Sequence, residues 1–342
     1  MAGKAGRFLT PESGAAQLLK QPRALHFAGR TRDDWQRWRR AFRRRLVQSL
    51  GPRPPALPLR AEVLEERELP GYVRRKIVFD PDPFSSVPAY VLIPTGVDGP
   101  RPAVLCAHGH GVGKDGLAGA TEEEYSHQLA VALARRGFVT MAPDWRGFGE
   151  RKDRDEWVRR PSRDGCNVAY LAYAYFGYQL LHLDICDASR CLDYLQSLPQ
   201  VDGRRLGCVG CSFGGTMTTY VSALDRRIRA AVIACYVSTL EDALNDRGRG
   251  NTCGSQFMFG LGQLGDISDV AGLIAPRACM VQIGSDDTCF VEADALKGFR
   301  HLQKIYRAAG AGRALALDHF RGGHQIDRDA AIDFLLDSLT SA

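Results

Sequence analysis

The sequence of 342 residues lacks any run of about 18 consecutive apolar residues, which a membrane-spanning helix would need. Its first seven residues include Lys4 and Arg7, but the apolar core of a secretory signal does not follow them. These two absences predict a cytoplasmic protein. The composition, with 45% hydrophobic and 25% charged residues, is typical of a globular chain with a large core.

Disulfide and metal signatures are also missing, although the chain contains 10 cysteines. Several of them lie inside apolar strand patterns, where a thiol acts as a small hydrophobic side chain. Cys208 and Cys211 have the spacing of a redox or zinc pair, but a separation of three places them on opposite faces of a strand. No second pair of cysteines completes a zinc site. We therefore expect reduced thiols, no metal and no cofactor.

Positive charge is concentrated in one segment, and elsewhere the chain is close to neutral. The net charge of +6 comes largely from Arg37, Arg39, Arg40, Arg43, Arg44 and Arg45. Such a run is able to bind nucleic acid or an anionic surface. No nucleic-acid-binding motif accompanies it, so we expect no nucleic-acid partner.

The arginine-rich segment is predicted to be an amphipathic helix. Thr31 is its N-cap, Asp34 follows three residues later, and Gly51 ends it before Pro52. Its apolar residues recur at helical spacing and are Trp35, Trp38, Phe42 and Leu46. Because an aromatic stripe needs a surface to cover it, we expect docking onto the main domain or onto another subunit of a homo-oligomer.

The order of predicted elements indicates an α/β fold. After a stiff linker at 53–58, three strands at 63–69, 72–79 and 87–93 form an antiparallel meander. Strands then alternate with helices: strands at 103–107, 138–142, 205–211, 230–235, 278–284 and 314–318, and helices at 125–136, 183–197, 215–224, 292–309 and 328–339. This alternation predicts a mostly parallel sheet covered by helices on both faces. We divide the chain into residues 1–60, an arm and helix, and residues 61–342, the main domain.

Two long segments interrupt the alternation, at about 145–182 and 236–275. The first contains an Arg-rich loop followed by Tyr170, Tyr173, Tyr175, Phe176 and Tyr178, and the second contains Cys253, Gly254, Phe257, Met258 and Phe259. Both leave the carboxyl edge of the sheet, where ligands bind in such folds. The aromatic residues either line a pocket or serve as packing.

A strand-turn-helix pattern at Gly210-x-Ser212-x-Gly214 organises the chemistry that the sequence suggests. A serine at such a turn adopts a strained backbone conformation, and glycines two positions away leave room for it. The hydroxyl of Ser212 would then be presented at the edge of the sheet as a nucleophile.

A nucleophilic serine requires a histidine as base and a carboxylate that orients the histidine. After the strand at 278–284, Asp286 and Asp287 are both candidates, and Asp287 is preferred because it lies deeper in the turn. His324 follows two glycines after the last strand and is the candidate base. The remaining histidines, including His319 at the end of the last strand, are expected to be structural.

The loop after the first parallel strand, which contains His108 and His110, is predicted to complete an oxyanion site. We assign its two donors as the backbone N–H groups of His110 and Phe213. Two histidines at this spacing also suggest metal ligands, but no partnering carboxylate or histidine follows at a suitable distance in the sequence.

Taken together, these motifs resemble α/β-hydrolases of the dienelactone-hydrolase and acetyl-xylan-esterase-like group. The matching segments are His108-Gly109-His110-Gly111, Pro143-Asp144-x-Arg146-Gly147-x-Gly149, Gly210-x-Ser212-x-Gly214-Gly215, Ile274-Ala275-Pro276-Arg277 and Gly322-Gly323-His324. They span residues 62–342 approximately and occur in family order. The resemblance implies a triad of Ser212, His324 and Asp287. Dienelactone hydrolases proper carry a cysteine at the nucleophile position, so Ser212 favours the serine esterases.

The expected activity is the cofactor-free hydrolysis of small carboxylic esters, with short acyl groups such as acetyl favoured. Besides surface binding by the arginine-rich helix, two alternatives remain. One is a peptidase similar to the catalytic domain of prolyl oligopeptidases, although residues 1–60 are too few for the propeller that this family commonly carries. The other is a non-enzymatic ligand-binding protein, which would usually show a broken triad.

Overall fold

Nine strands form one sheet in the computed structural model, which describes residues 10–122, 125–153, 165–244 and 253–340. They are β1 Glu62–Leu69, β2 Tyr72–Asp82, β3 Ser85–Pro94, β4 Arg101–Ala107, β5 Val139–Pro143, β6 Val201–Cys211, β7 Ile228–Ala234, β8 Ala278–Gly284 and β9 Leu315–Phe320. The spatial order is β1-β2-β3-β5-β4-β6-β7-β8-β9. Strands β1 to β3 form the predicted antiparallel meander, and β4 to β9 are parallel to one another.

Helices cover both faces of the sheet, as the alternation predicts. Their bounds are α1 Pro11–Leu18, α2 Arg32–Ser49, α3 Lys114–Leu117, α4 Leu129–Arg135, α5 Gly165–Ala174, α6 Leu180–Ser197, α7 Phe213–Leu224, α8 Leu240–Leu244, α9 Leu261–Leu264, α10 Ile267–Gly272, α11 Glu292–Ala308 and α12 Arg328–Thr340. One core contains side chains of α2, α6, α7, α10 and α11, and the other contains side chains of α4 and α12. Among the described ranges, no helix has the length and apolarity needed to cross a membrane.

Successive side chains of strand β6 alternate between the two faces of the sheet, as the sequence prediction for its cysteines requires. Cys208 lies in the core on one face of the sheet, and Cys211 lies in the core on the other. The two thiols therefore cannot act as a pair, as expected from their separation of three. All 10 cysteines are present as thiols.

Helix α2 has the predicted cap and the predicted stripe. The Thr31 hydroxyl accepts a hydrogen bond from Asp34 N–H, and the Asp34 carboxylate accepts one from Thr31 N–H. The stripe of Trp35, Trp38, Phe42 and Leu46 is buried, and Trp38 and Phe42 stack with ring centroids 5.3 Å apart.

The surface that covers this stripe belongs to the same chain. A Cβ on Gly272 would come within 3.2 Å of Trp38, and a Cβ on Gly265 would come within 2.7 Å of Phe42. The absence of side chains at both glycines therefore lets the rings pack directly against the backbone. The stripe is thus part of the main core. Association of subunits through α2 remains a prediction, but the aromatic surface that suggested it is already covered.

The first described residues contain a helix that the sequence did not suggest. Thr10 caps α1, and Pro11 occupies its first position, which is favourable for proline. The helix has eight residues, none of them buried. The small and polar residues of α1 form no apolar stripe, and for this reason the sequence predicts an irregular arm here rather than a helix. The boundary drawn at residue 60 remains a prediction.

A buried carboxylate fixes the arm to the main domain. Asp269 Oδ2 lies 2.8 Å from His26 Nδ1 and Asp269 Oδ1 lies 2.8 Å from His301 Nε2, with the two imidazole rings stacked at 4.2 Å. The N–H of Phe27 donates to the same carboxylate. Burial would raise the pKa of Asp269, but the hydrogen bonds from His26 and His301 lower it to about 2.

We expect Asp269→Asn to release the arm, because the neutral amide loses its charge-assisted bonds to His26 and His301. Breaking a buried pair of this kind typically costs about 3 kcal/mol of unfolding free energy. Urea unfolding at neutral pH measures the change. Asp337→Asn on the exposed side of α12 is the control and should leave the midpoint unchanged; equal midpoints for both variants would contradict the role of Asp269.

Candidate active site

Ser212 lies between β6 and α7 in a backbone conformation that side chains rarely adopt, with φ 62° and ψ −121°. Its N–H donates to Ala234 O on the neighbouring strand at 3.0 Å, and its C=O accepts from Thr216 N–H at 3.0 Å. The turn predicted from the sequence is therefore present. The hydrogen bonds made by its N–H and its C=O hold the turn in this strained conformation.

The glycines flanking Ser212 are required by the close approach of β4. A Cβ on Gly210 would come within 2.5 Å of Ala107 O, and one on Gly214 would overlap the same oxygen. A side chain at either position would therefore push β4 away from the turn. The Gly-x-Ser-x-Gly pattern thus reflects a steric demand of this sheet.

Asp287 and His324 form a direct pair beyond the ends of β8 and β9. Asp287 Oδ2 lies 2.9 Å from His324 Nδ1, and Asp287 Oδ1 accepts the N–H groups of Cys289 (2.7 Å) and Phe290 (3.0 Å). The carboxylate is buried and cannot turn freely. Asp286, the alternative acid, is exposed, and its N–H donates to Gly322 O at 2.8 Å. The geometry therefore favours Asp287.

Glycines bring the histidine loop against the acid loop. A Cβ on Gly284 would lie within 2.6 Å of Gly322 O, so the end of β8 has room for this loop only without a side chain. The ring of Phe290 stacks on His324 with centroids 5.8 Å apart and an interplanar angle of 13°. The imidazole is thus fixed by a hydrogen bond at one end and by an aromatic face.

His324 shares the carboxyl edge of β6 and β7 with Ser212. The Sγ of Cys235, which follows β7, lies within 4.8 Å of the ligand atoms of both Asp287 and His324, and Cys235 directly follows the residue that binds Ser212 N–H. Within the described residues, Ser212 Oγ makes no hydrogen bond to His324. Such contacts are often long without substrate and close in the complex.

The contacts of His324 raise the pKa of its imidazole. Burial lowers its pKa, but the hydrogen bond and charge of Asp287, together with the contact with Cys235, outweigh burial and hold the pKa above its ordinary value of 6.5. In return, the imidazole contributes to a lowered pKa of Asp287 against the effect of burial. Cys235 stays a neutral thiol, because its contact with Cys211 and its burial raise its pKa.

His108 is a structural residue of the loop after β4. Its Nδ1–H donates to Gly109 O at 2.7 Å, and its Nε2 accepts Trp145 N–H at 3.0 Å. These two bonds define a neutral tautomer, and burial lowers the pKa of the ring. His108 is therefore neither a free base nor a metal ligand.

The loop containing His110 packs against the serine turn. A Cβ on Gly109 would lie 2.9 Å from Cys211 O, so the loop approaches the backbone just before Ser212. Tyr125 Oη donates to His110 O at 2.7 Å and holds the loop from the other side. Within the described residues, the N–H groups of His110 and Phe213 donate to no protein acceptor.

Buried charges beneath the site fix this loop, a role that sequence reasoning did not assign. Asp144 accepts Lys114 N–H (2.8 Å), Glu150 N–H (3.0 Å) and Lys114 Nζ (3.0 Å). Arg146 binds Asp187 and Asp82 in the same buried layer. The Asp144-x-Arg146 motif thus serves as a scaffold. The sequence signal that pointed to this role was the presence of charged residues inside a glycine-rich turn.

The two insertions contact each other over this edge of the sheet. Gly254 N–H donates to Asn167 Oδ1 at 2.7 Å, and Tyr170 meets Phe257 edge to face at 5.4 Å. Tyr175 and Phe176, proposed as pocket residues or packing, are instead largely exposed. The middle of the Arg-rich loop, 154–164, and residues 245–252 lie outside the described ranges.

Sequence reasoning also missed a cluster of His110 with two cysteines. His110 Nε2 lies 3.0 Å from Cys253 Sγ and 3.8 Å from Cys166 Sγ. The sequence search for metal ligands considered only nearby positions, whereas these cysteines arrive from the two insertions. Contact with Cys166 and His110 lowers the pKa of Cys253 against the effect of burial.

A cavity of about 490 Å³ is lined in part by Phe290, the residue that stacks on His324, whereas Ser212, Asp287 and His324 are not among its lining residues. Its walls come from α1, α8, α9 and the second insertion, and the chemistry of the wall is mainly apolar. The residues nearest to the Asp287 and His324 pair are Tyr236, Cys289 and Phe290. The cavity is large enough for the apolar part of a small ligand.

Comparisons with known proteins agree with this architecture. A model of the Abhydrolase family matches residues 3–321. The "Putative hydrolase YtaP" of Bacillus subtilis is 26% identical over 300 residues, covering 86% of this chain and 97% of its own.

Solved structures show the same fold. A "putative acetyl xylan esterase" from Bacteroides fragilis aligns with a TM-score of 0.78 and 20% identity, covering 94% of this chain and 84% of its own. Methylesterase BT1017 aligns with a TM-score of 0.68 and 20% identity, covering 95% of this chain and 66% of its own. The fold is that of the α/β-hydrolases, as the sequence motifs implied.

The pairing of His324 with Asp287 predicts the direction of an imidazole titration. Because the carboxylate stabilises the imidazolium, we expect the pKa of His324 to exceed 6.5, and we expect Asp287→Asn to lower it; the neutral imidazole that serves as base then forms above that pKa. NMR of histidine-labelled protein, assigned with His324→Gln, measures both values. Asp286→Asn is the matched control and should leave the titration unchanged; a pKa at or below 6.5 in the unmodified chain would contradict the pairing.

Proposed function

The chain belongs to the Abhydrolase family, and from this premise we propose that it hydrolyses carboxylic esters through a nucleophilic serine. The observation that carries the proposal is the Asp287 and His324 pair, which shares a sheet edge with the strained Ser212 turn. Strained turns of this kind persist where function uses them. The arrangement supplies a nucleophile, a base and an orienting acid.

In the proposed reaction, Ser212 Oγ attacks the ester carbonyl while His324 Nε2 takes the hydroxyl proton. Asp287 keeps the proton of His324 on Nδ1 and stabilises the imidazolium that forms. His324 then gives its proton to the leaving alcohol, and an acyl-serine remains. Water, activated by the same imidazole, attacks the acyl-serine and releases the acid.

The negative oxygen of the tetrahedral intermediate is assigned to the backbone N–H groups of His110 and Phe213. Phe213 is the first residue of α7, so the positive end of the helix lies beside the developing charge. The buried Asp144 and Lys114 hold the His110 loop in position. Donors fixed before reaction stabilise the transition state without reorganisation.

Short acyl groups, acetyl first, are the proposed substrates. The support is the likeness to a structure named as an acetyl xylan esterase, together with the rings of Phe148, His110 and Phe213, which pack against one another at centroid distances of 5.3 to 5.6 Å around the assigned oxyanion donors. The cavity lined in part by Phe290 is assigned to the alcohol part of the ester.

Ser212→Ala tests the nucleophile. We expect kcat for an activated short-chain ester to fall by about a millionfold, since no hydroxyl remains to form the acyl-enzyme. Labelling by a fluorophosphonate probe, followed by mass spectrometry, should disappear in the same variant. Ser49→Ala, at the end of α2, is the control and should keep both activities. Near-normal turnover by Ser212→Ala would refute the proposal.

A substrate series tests the proposed ester class. Aryl esters of increasing acyl length are compared by kcat/KM with acetylated sugars and with aminoacyl arylamides. We expect acetyl esters to be turned over best and arylamides slowest, because the site has a crowded acyl side and no assigned peptide subsites. A preference for arylamides would favour the peptidase alternative, and a broad optimum over acyl lengths would contradict the acetyl preference.

A further inference from the structure

We propose that His110, Cys166 and Cys253 bind one soft divalent cation, with zinc as the natural probe, where the His110 loop meets the two insertions. The three ligand atoms all lie within 4.8 Å of one another. This site is separate from Ser212, Asp287 and His324, and its existence does not depend on the proposed ester hydrolysis.

The distances suit a tetrahedral ion. With bonds of about 2.3 Å to sulfur and about 2.0 Å to nitrogen, sulfur and nitrogen ligands of such an ion stand about 3.5 Å apart. His110 Nε2 lies 3.0 Å from Cys253 Sγ and 3.8 Å from Cys166 Sγ, which brackets this separation.

The donor set selects the class of metal. Two thiolates and one imidazole favour zinc and similar soft cations, whereas magnesium and calcium prefer oxygen ligands. Both cysteines are buried, so their sulfur ligands would be shielded from water. Ser255 Oγ lies 2.8 Å from Cys253 Sγ, so its hydroxyl would donate a hydrogen bond to that thiolate.

The positions of the three ligands in the chain indicate a structural role for the site. His110 comes from the loop after β4, Cys166 from α5 in the first insertion, and Cys253 from the second insertion. One ion would join three segments, two of which also touch through Gly254 N–H to Asn167 and through Tyr170 and Phe257. It would also fix the residue whose backbone N–H is assigned to the oxyanion.

Metal content tests the site directly. The full chain is kept reduced with a phosphine, stripped with a chelator, loaded with Zn²⁺ and freed of excess by gel filtration. We expect about one zinc per chain by elemental analysis, since a soft three-ligand site holds its ion against dilution. Cys166→Ser and Cys253→Ser should each lose it. Cys186→Ser, a half-buried thiol on α6 outside the cluster, is the matched control and should retain it.

Cobalt provides a second readout that needs no variant. Replacing zinc by Co²⁺ in the unmodified chain should give the strong visible bands of a tetrahedral ion and a thiolate-to-cobalt band in the near ultraviolet. A weak octahedral spectrum, clearly less than one zinc per chain, or full binding by both serine variants would overturn the proposal. Isolation of the protein with a Cys166–Cys253 disulfide instead of a metal would overturn it as well.

Discussion

The contact between the Ser212 turn and strand β4 is the constraint on which the rest of the site depends. Gly210 and Gly214 place the turn directly against Ala107, and Ser212 N–H is bound by Ala234 on the other neighbouring strand. The turn is therefore held between two strands in a conformation with positive φ. Packing of this kind stores strain that an isolated turn would release. The Ser212 hydroxyl is held in position because the turn is fixed by contacts with the strands on both sides.

Buried charge provides the second layer of order. Asp144, Lys114, Arg146 and Asp187 lie beneath the loops and are nearly inaccessible to solvent. Isolated charges would be too costly in such a place, but here each one binds opposite charges or backbone N–H groups. The loops that surround Ser212 are thus anchored by polar contacts, whereas the strands that carry them are held by apolar packing.

Much of this arrangement follows from the sequence, because it depends on local pattern. Period-two and helical spacing gave β6, β8, α2 and α7 within a few residues, and the glycines marked the turn and the histidine loop. The choice between Asp286 and Asp287 needed coordinates, since both occupy the same turn and only one faces His324. The Asp269 clamp and the cluster of His110 with Cys166 and Cys253 were missed. Their members are more than 30 positions apart and carry no shared local signal.

The arm and its anchor also have a consequence for the order of assembly. Helix α1 forms one wall of the cavity, while Asp269 and His301, which hold the arm, lie more than 240 residues later in the chain. During synthesis the arm leaves the ribosome first, yet its docking surface is made near the end. The arm must therefore wait until most of the domain is complete. The cavity is thus closed by a segment that is synthesised long before the surface on which it docks.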